Sequence, residues 1–175
     1  MEIKKSLNDK NLSIQHSLII SEIKDKIKKY QHLGNIVSEL PSGSILVGGY
    51  IRDLILDRVS PFPDIDIVVP DKSLEIGKNI AEKFSGKFLI LDSNRNIVRI
   101  IFRNFIFDIA NQTHELLTED LKSRDLTINS IAFSFDNEKL IDPANGIYDL
   151  NNSLLRSMRN ENLIYDPLRI LRCFR

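Results

Sequence analysis

Chemistry enters this sequence at Asp64-Ile65-Asp66, two carboxylates separated by one apolar residue. Ile67-Val68-Val69 follow and Pro70 closes the run, a β-type composition. On a strand, residues two apart point to the same face, so both carboxylates stand together while Ile65 and Ile67 point into a core. Two like charges so close repel unless one is protonated or a cation bridges them. A magnesium ion, an oxygen-seeking octahedral cation usually shared with substrate phosphates, would answer that repulsion. An exposed acidic strand edge or turn carries the same letters, so the motif does not decide by itself.

Asp108 interrupts Phe105-Ile106-Phe107 and Ile109-Ala110, an apolar strand where a carboxylate is costly without a partner. A third carboxylate would complete a two-metal site, in which paired ions activate an attacking hydroxyl and stabilise a leaving oxygen. Its alternative is a strand-end aspartate that caps a loop. Upstream, Gly48-Gly49 lies between the β-type run Ser44–Val47 and a short helix over Tyr50–Leu56. That arrangement lets a phosphate approach the backbone closely, with helix N–H groups aimed at it. It is neither a dinucleotide fingerprint nor a Walker loop, and a tight turn uses the same glycine pair. Arg52, on the first turn of the helix, suits bidentate contact with phosphate oxygens.

Arg124-Asp125-Leu126-Thr127-Ile128-Asn129 offers a helix N-cap in Asp125, and hydroxyl and amide groups suited to a sugar in Thr127 and Asn129. Near the end, Asp166, Arg169, Arg172 and Arg175 recur every third residue. On an α-helix each such step turns about 300°, so the arginines form a drifting stripe roughly 120° wide, beside Leu168, Leu171 and Phe174. A comb of arginines suits a triphosphate; a solvated basic face has the same spacing.

The elements that must position these groups are legible in outline. Residues 1–16 read as a loose polar arm, and Leu18, Ile19, Ile23, Ile27 and Tyr30 as the apolar side of an amphipathic helix. A helix is expected over Ser73–Phe84, and strands over Lys87–Leu91, Ile97–Phe102, Phe105–Ala110 and Leu140-Ile141. Residues 114–121 read as a loop or short helix. Arg124–Phe135 reads as helix, with a strand open as the alternative at its end. Asp142–Gly146 reads as a turn, and Tyr165–Arg175 as helix. Interspersed strands and helices predict an α+β or α/β head with a mixed sheet. The apolar stripe runs to the last residue without a stop signal, so the chain reads as cut in mid-element.

Bulk properties narrow the classes. Apolar residues make up 42 % and charged residues 27 % of 175, ordinary for a soluble domain. Lys plus Arg equal Asp plus Glu at 24 each, so any nucleic-acid contact must rest on local charge. One cysteine excludes an internal disulfide and, with three histidines, argues against a structural zinc cluster. No apolar run approaches the roughly 20 residues of a membrane span, and the polar start is unlike a secretory signal, so a cytoplasmic location is expected.

Taken in order, Gly48-Gly49-Tyr50-Ile51-Arg52-Asp53, Asp64-Ile65-Asp66, Arg124–Asn129, Asp142-Pro143 with Gly146, and Asp166–Arg172 resemble the class II tRNA nucleotidyltransferase and bacterial poly(A) polymerase family. The resemblance covers about residues 40–175. It implies an α+β, polymerase-beta-like head over 41–150, preceded by the arm and helix of 1–40 and followed by the start of a helical neck over 151–175. It further implies that Asp64, Asp66 and Asp108 bind Mg2+, and that Gly48, Gly49, Arg52, Arg124 and the Asp166, Arg169, Arg172, Arg175 series hold ATP or CTP. Asn129 would face the ribose. The activity so implied is addition of CMP and AMP to the 3′ end of tRNA, with poly(A), CC- or A-addition as alternatives. RNA and nucleoside triphosphates are the implied partners. A nucleotide-binding chain without turnover is the reading from a different class. Two departures stand within the motifs: Ser123 replaces the first of a paired arginine, and Asn145 replaces one glycine of a D-P-x-G-G turn. No E-D-x-x-R template follows Arg175 in this sequence.

Overall fold

The computed structural model describes residues 2–30 and 32–174, with side chains from Ser13 onward. Its frame is a seven-stranded mixed sheet: β1 (Ile45–Val47), β2 (Asp64–Val69), β3 (Lys87–Asp92), β4 (Ile97–Ile101), β5 (Ile106–Asn111), β6 (Ala132–Ser134) and β7 (Lys139–Ile141). In space the order is β3-β4-β5-β2-β1-β6-β7. Neighbours run antiparallel except β2 and β5, which are parallel. A parallel pair needs a long crossover, and here it passes through α4 (Ser73–Lys83) and the β3–β4 hairpin. This is the expected α+β architecture.

Strand alternation sorts the two faces. Ile65, Ile67 and Val69 of β2, Val98 and Ile100 of β4, and Phe107 and Ile109 of β5 are all buried in the main core. The helices α1 (Glu2–Lys29), α2 (Leu33–Ser38), α3 (Gly49–Ile55) and α4 contribute to it Ile19 and Ile23, Leu33 and Ile36, Ile51 and Leu54, and Ile80 and Ala81. The opposite face is covered differently. There Val47, Val68 and Ala132 pack beneath Leu117 and Leu121 of α5 (Leu117–Lys122). The same face carries Asp66 and Asp108, which lie outside that small apolar cluster.

Several expectations change. Residues 2–16 are helical and continuous with the predicted amphipathic segment, so no loose arm precedes it. Ile19 and Ile23 are buried as expected, but Leu18 is 66 % exposed. Arg124–Phe135 is not a helix: a 3-10 turn over Thr127–Asn129 is followed by β6. Asp142–Gly146 is the expected turn, and it leads directly into α6 (Gly146–Asn151). Asn145 does adopt the left-handed conformation (φ 57°, ψ 42°) and so replaces the glycine without difficulty. Beyond α7 (Asn160–Tyr165), the segment Pro167–Phe174 is a 3-10 helix. Three residues per turn stack positions i and i+3, so Arg169 and Arg172 share one face instead of drifting. Met1, Gln31 and Arg175 lie outside the described residues.

Gly146 locks the 3-10 turn in place. A Cβ there would overlap the backbone carbonyl of Thr127, which cannot swing aside as a side chain can. Asp142 accepts hydrogen bonds from the N–H groups of Gly146 (2.7 Å) and Ile147 (2.9 Å), and Thr127 Oγ1 donates to the buried Asp149 (2.6 Å). Gly146→Ala is expected to destabilise the protein by about 3 kcal/mol, measured by urea denaturation. A loss below about 0.5 kcal/mol would show that α6 can retreat from the turn without cost.

Candidate active site

Strand register sets up the site. Val47 of β1 is paired with Asp66 of β2, Asp66 with Asp108 of β5, and Asp108 with Arg99 of β4. Directly paired residues project to the same side, so Arg99, Asp108 and Asp66 form one row across the sheet. Asp64 joins it two residues along β2, exposed where Asp66 is half-buried.

The row floors an open cleft of about 940 Å³. Gly48, Gly49, Arg52, Asp64, Asp66, Asp108, Arg124, Asn129, Arg169 and Arg172 all line it. Ten of the residues singled out from sequence therefore meet in one place. Asp166 does not line the cleft; it accepts a hydrogen bond from Nε of Arg169 at 3.3 Å and so braces a residue that does. Arg175 lies outside the described residues. Among the described lining residues, six aspartates face six arginines and no lysine. A chain with no net charge thus concentrates both signs in one depression.

Each cation has a distinct setting. Arg52 donates through Nη1 to Oδ1 of Asn129 (2.7 Å) and through Nε to Asp53 (2.8 Å). Arg169 donates to the Ser123 carbonyl (2.9 Å), and Arg172 to Oδ2 of Asp125 (2.9 Å). Asp125 is buried; its other oxygen accepts from the Leu126 N–H (2.7 Å) and the Asn129 amide (3.2 Å). Asp125 is therefore not the expected helix cap, a position that Leu126 takes, but an ion-pair partner. Arg124 is different. Its Nε is buried and makes no hydrogen bond to a described residue, and burial pushes its guanidinium down against the pull of Asp120, Asp66 and Asp125. An orphaned guanidinium N–H beside an open cleft suits an anionic ligand.

Gly48 is what lets these groups crowd together. It sits at φ 82°, and a Cβ on it would come within 3.1 Å of Asp66 Oδ2 and 3.7 Å of Arg124 Nη1. Any side chain there would be strained in backbone and would fill the approach to both groups.

Asp66 is uncomfortable as an anion. Burial first, then the neighbouring Asp108 and Asp64, push its carboxyl up to about 6, with Arg124 and Arg172 pulling the other way. Asp108 gives both oxygens to Arg99, through Nε (2.9 Å) and Nη2 (2.8 Å). As the side chains stand, no trio of His, Cys, Asp or Glu among the described residues is gathered to hold an ion. The donor chemistry nevertheless fits a divalent cation: oxygen ligands only, one of them raised by burial and by its neighbouring carboxylates, with a guanidinium bound to another.

Arg99 was not among the residues picked out from sequence, although the signal existed. In Ile97-Val98-Arg99-Ile100-Ile101 a charge interrupts an apolar strand, as Asp108 does in the next. Arg95 and Asp120 also line the cleft and were passed over. They come from a turn and from α5, where no periodicity marks which way a side chain faces.

Known proteins resemble this chain in sequence and in fold. The CC-adding tRNA nucleotidyltransferase of a Synechocystis strain is 41 % identical over 136 residues, covering 78 % of this chain and 33 % of that protein. The CCA-adding enzyme of Streptococcus gordonii is 34 % identical over 147 residues, covering 74 % and 35 %. A crystal structure of a tRNA nucleotidyltransferase with a primer tRNA and an incoming ATP analog superposes with a TM-score of 0.63 at 30 % identity, over 74 % of this chain and 39 % of that one. The chain spans about a third of the length of the curated relatives it matches. No helix among the described residues is long and apolar enough to cross a membrane. Residues 44–156, which hold the glycine pair, the three aspartates and the Arg124–Asn129 turn, match the poly A polymerase head domain, and the chain belongs to that family.

Proposed function

We propose that the protein transfers nucleotides from CTP and ATP to the 3′ end of tRNA. The observation that carries this is the single cleft in which a row of carboxylates faces Arg52, Arg124, Arg169 and Arg172. Transfer of a nucleotidyl group needs an RNA 3′-hydroxyl to bond to the α-phosphate while the α–β bridge breaks and pyrophosphate leaves. Arginine forks are suited to hold the triphosphate and to meet the charge that develops on the departing oxygens. Asp64, Asp66 and Asp108 would hold magnesium, which when bound supplies the positive charge that eases removal of the hydroxyl proton. Arg124 brings an unpaired donor, Asn129 is tied to Arg52 and turned toward the place of a ribose, and Asp166 braces Arg169. Arg175 extends the same series in sequence.

CC-adding, A-adding and CCA-adding relatives all match this chain, and their names cover transfer of CMP, of AMP or of both. The test is incubation of the purified protein with magnesium, one labelled nucleotide at a time, and tRNA lacking its 3′ end. CTP followed by ATP selects CCA addition, CTP alone CC addition, and ATP alone, on tRNA already ending in CC, A addition. Repeated ATP incorporation on any RNA selects poly(A) synthesis. Nucleotide binding with no incorporation under any of these conditions would overturn the enzymatic reading.

A further inference from the structure

We propose that Arg99 is a built-in competitor for the divalent cation: its guanidinium holds Asp108 in the metal-free cleft and must let go before the carboxylate row can close on an ion. This rests on the reading above that Asp64, Asp66 and Asp108 take a cation. The geometry is a fork on a fork, Nε to Oδ1 at 2.9 Å and Nη2 to Oδ2 at 2.8 Å, so both oxygens of Asp108 are engaged. Arg99 and Asp108 are direct cross-strand partners, close enough for the pair to form without movement of the backbone.

Unequal exposure identifies which partner gives way. The Asp108 side chain is 15 % exposed and that of Arg99 32 %. Arg99 has a long stem that lies between Ile97 and Ile101 on its own strand, and its head faces the cleft. It can swing into solvent while Asp108 stays in the floor. An ion that takes an Asp108 oxygen therefore displaces the guanidinium, and metal affinity is set by the difference between the two contacts. A merely structural ion pair would leave that affinity unchanged, and an arginine that orients Asp108 toward the ion would raise it.

These alternatives separate by titrating manganese(II) alone, with the free ion followed by electron paramagnetic resonance. The proteins are wild type, Arg99→Gln, Arg99→Lys and Asp66→Asn. The expected result is binding that depends on Asp66, about tenfold tighter in Arg99→Gln, and intermediate in Arg99→Lys, which keeps the charge but loses the fork. A second reading needs no titration of free ion: without metal Arg99→Gln melts below wild type, and manganese raises its melting temperature by more than it raises the wild type's. Unchanged or weaker binding in Arg99→Gln, with wild-type binding still dependent on Asp66, overturns the competitor role and leaves the metal reading standing. Wild-type binding that is absent, or indifferent to Asp66→Asn, removes the metal reading and this proposal with it. Should Arg99→Gln fail to fold, tighter binding by Arg99→Lys supports the proposal and equal or weaker binding overturns it.

Discussion

Asp64→Ala is expected to lower nucleotide incorporation at least about 10³-fold, the scale of several kcal/mol of transition-state stabilisation, while melting within a few degrees of wild type. The asymmetry follows from position. Asp64 is the first residue of β2 and is exposed, while its neighbour Ile65 is 2 % exposed and carries the packing. Truncation at an exposed strand end costs little stability. Function should respond in the opposite sense, because Asp64 stands on the cleft side of the strand, on the same face as Asp66. Ile65→Ala is the matching control. It should lower the melting temperature sharply, by the loss of about 2–4 kcal/mol in the core, without removing a cleft carboxylate. Appreciable incorporation by Asp64→Ala would end its assignment as a metal-holding residue, whatever the fold shows.

How far this site could be read from sequence depends on where periodicity survives. In β2 the run Asp64-Ile65-Asp66-Ile67 alternates, so Asp64 and Asp66 could be placed on one face, and the structure puts them there; Asp108 joins them only through register. The pairing of β2 with β5 could not be read, since residues 70–105 lie between the strands and nothing local fixes a parallel neighbour. The same blindness hid Arg99, whose meaning comes only from its register with Asp108. The terminal arginines show a different limit. Spacing by three fits both a drifting α-helical stripe and a stacked 3-10 face, and only the backbone decides between them. Leu168, Leu171 and Phe174 lie on that segment with large exposed surfaces, so burial gives no further constraint on its twist. For Arg124–Phe135, the β-branched and aromatic content was compatible with both helix and strand. The strand at its end is held from outside the segment, by pairing of β6 with β1 and β7.

Asp66→Asn is expected to make the metal-free protein more stable at pH 8 and to give no such gain at pH 4. The sign follows from the direction of the shift. An unperturbed aspartate titrates near 3.9, whereas Asp66 in the fold is pushed up to about 6 by burial and by Asp108 and Asp64. The folded state therefore binds the proton more tightly than the unfolded chain does. That contribution to stability is complete below the unfolded value and is lost as pH rises through about 6. Asparagine is neutral throughout and avoids the loss. The difference at pH 8 is on the order of 2 kcal/mol after allowance for solvent reaching a half-buried side chain, or about 6 °C in a domain of this size. Melting curves of the two proteins from pH 4 to pH 8, in chelator, measure it. A gap that stays flat across that range would mean that Arg124 and Arg172 already compensate the carboxylate, and that Asp66 is not the strained member of the row. Magnesium should close the gap from the wild-type side only, since an ion that binds the folded carboxylates raises stability by mass action and finds no anion at residue 66 of the variant. An acid kept where it destabilises the empty fold is the expected mark of a residue retained for what it binds, and the two curves together separate that cost from the ligand that offsets it.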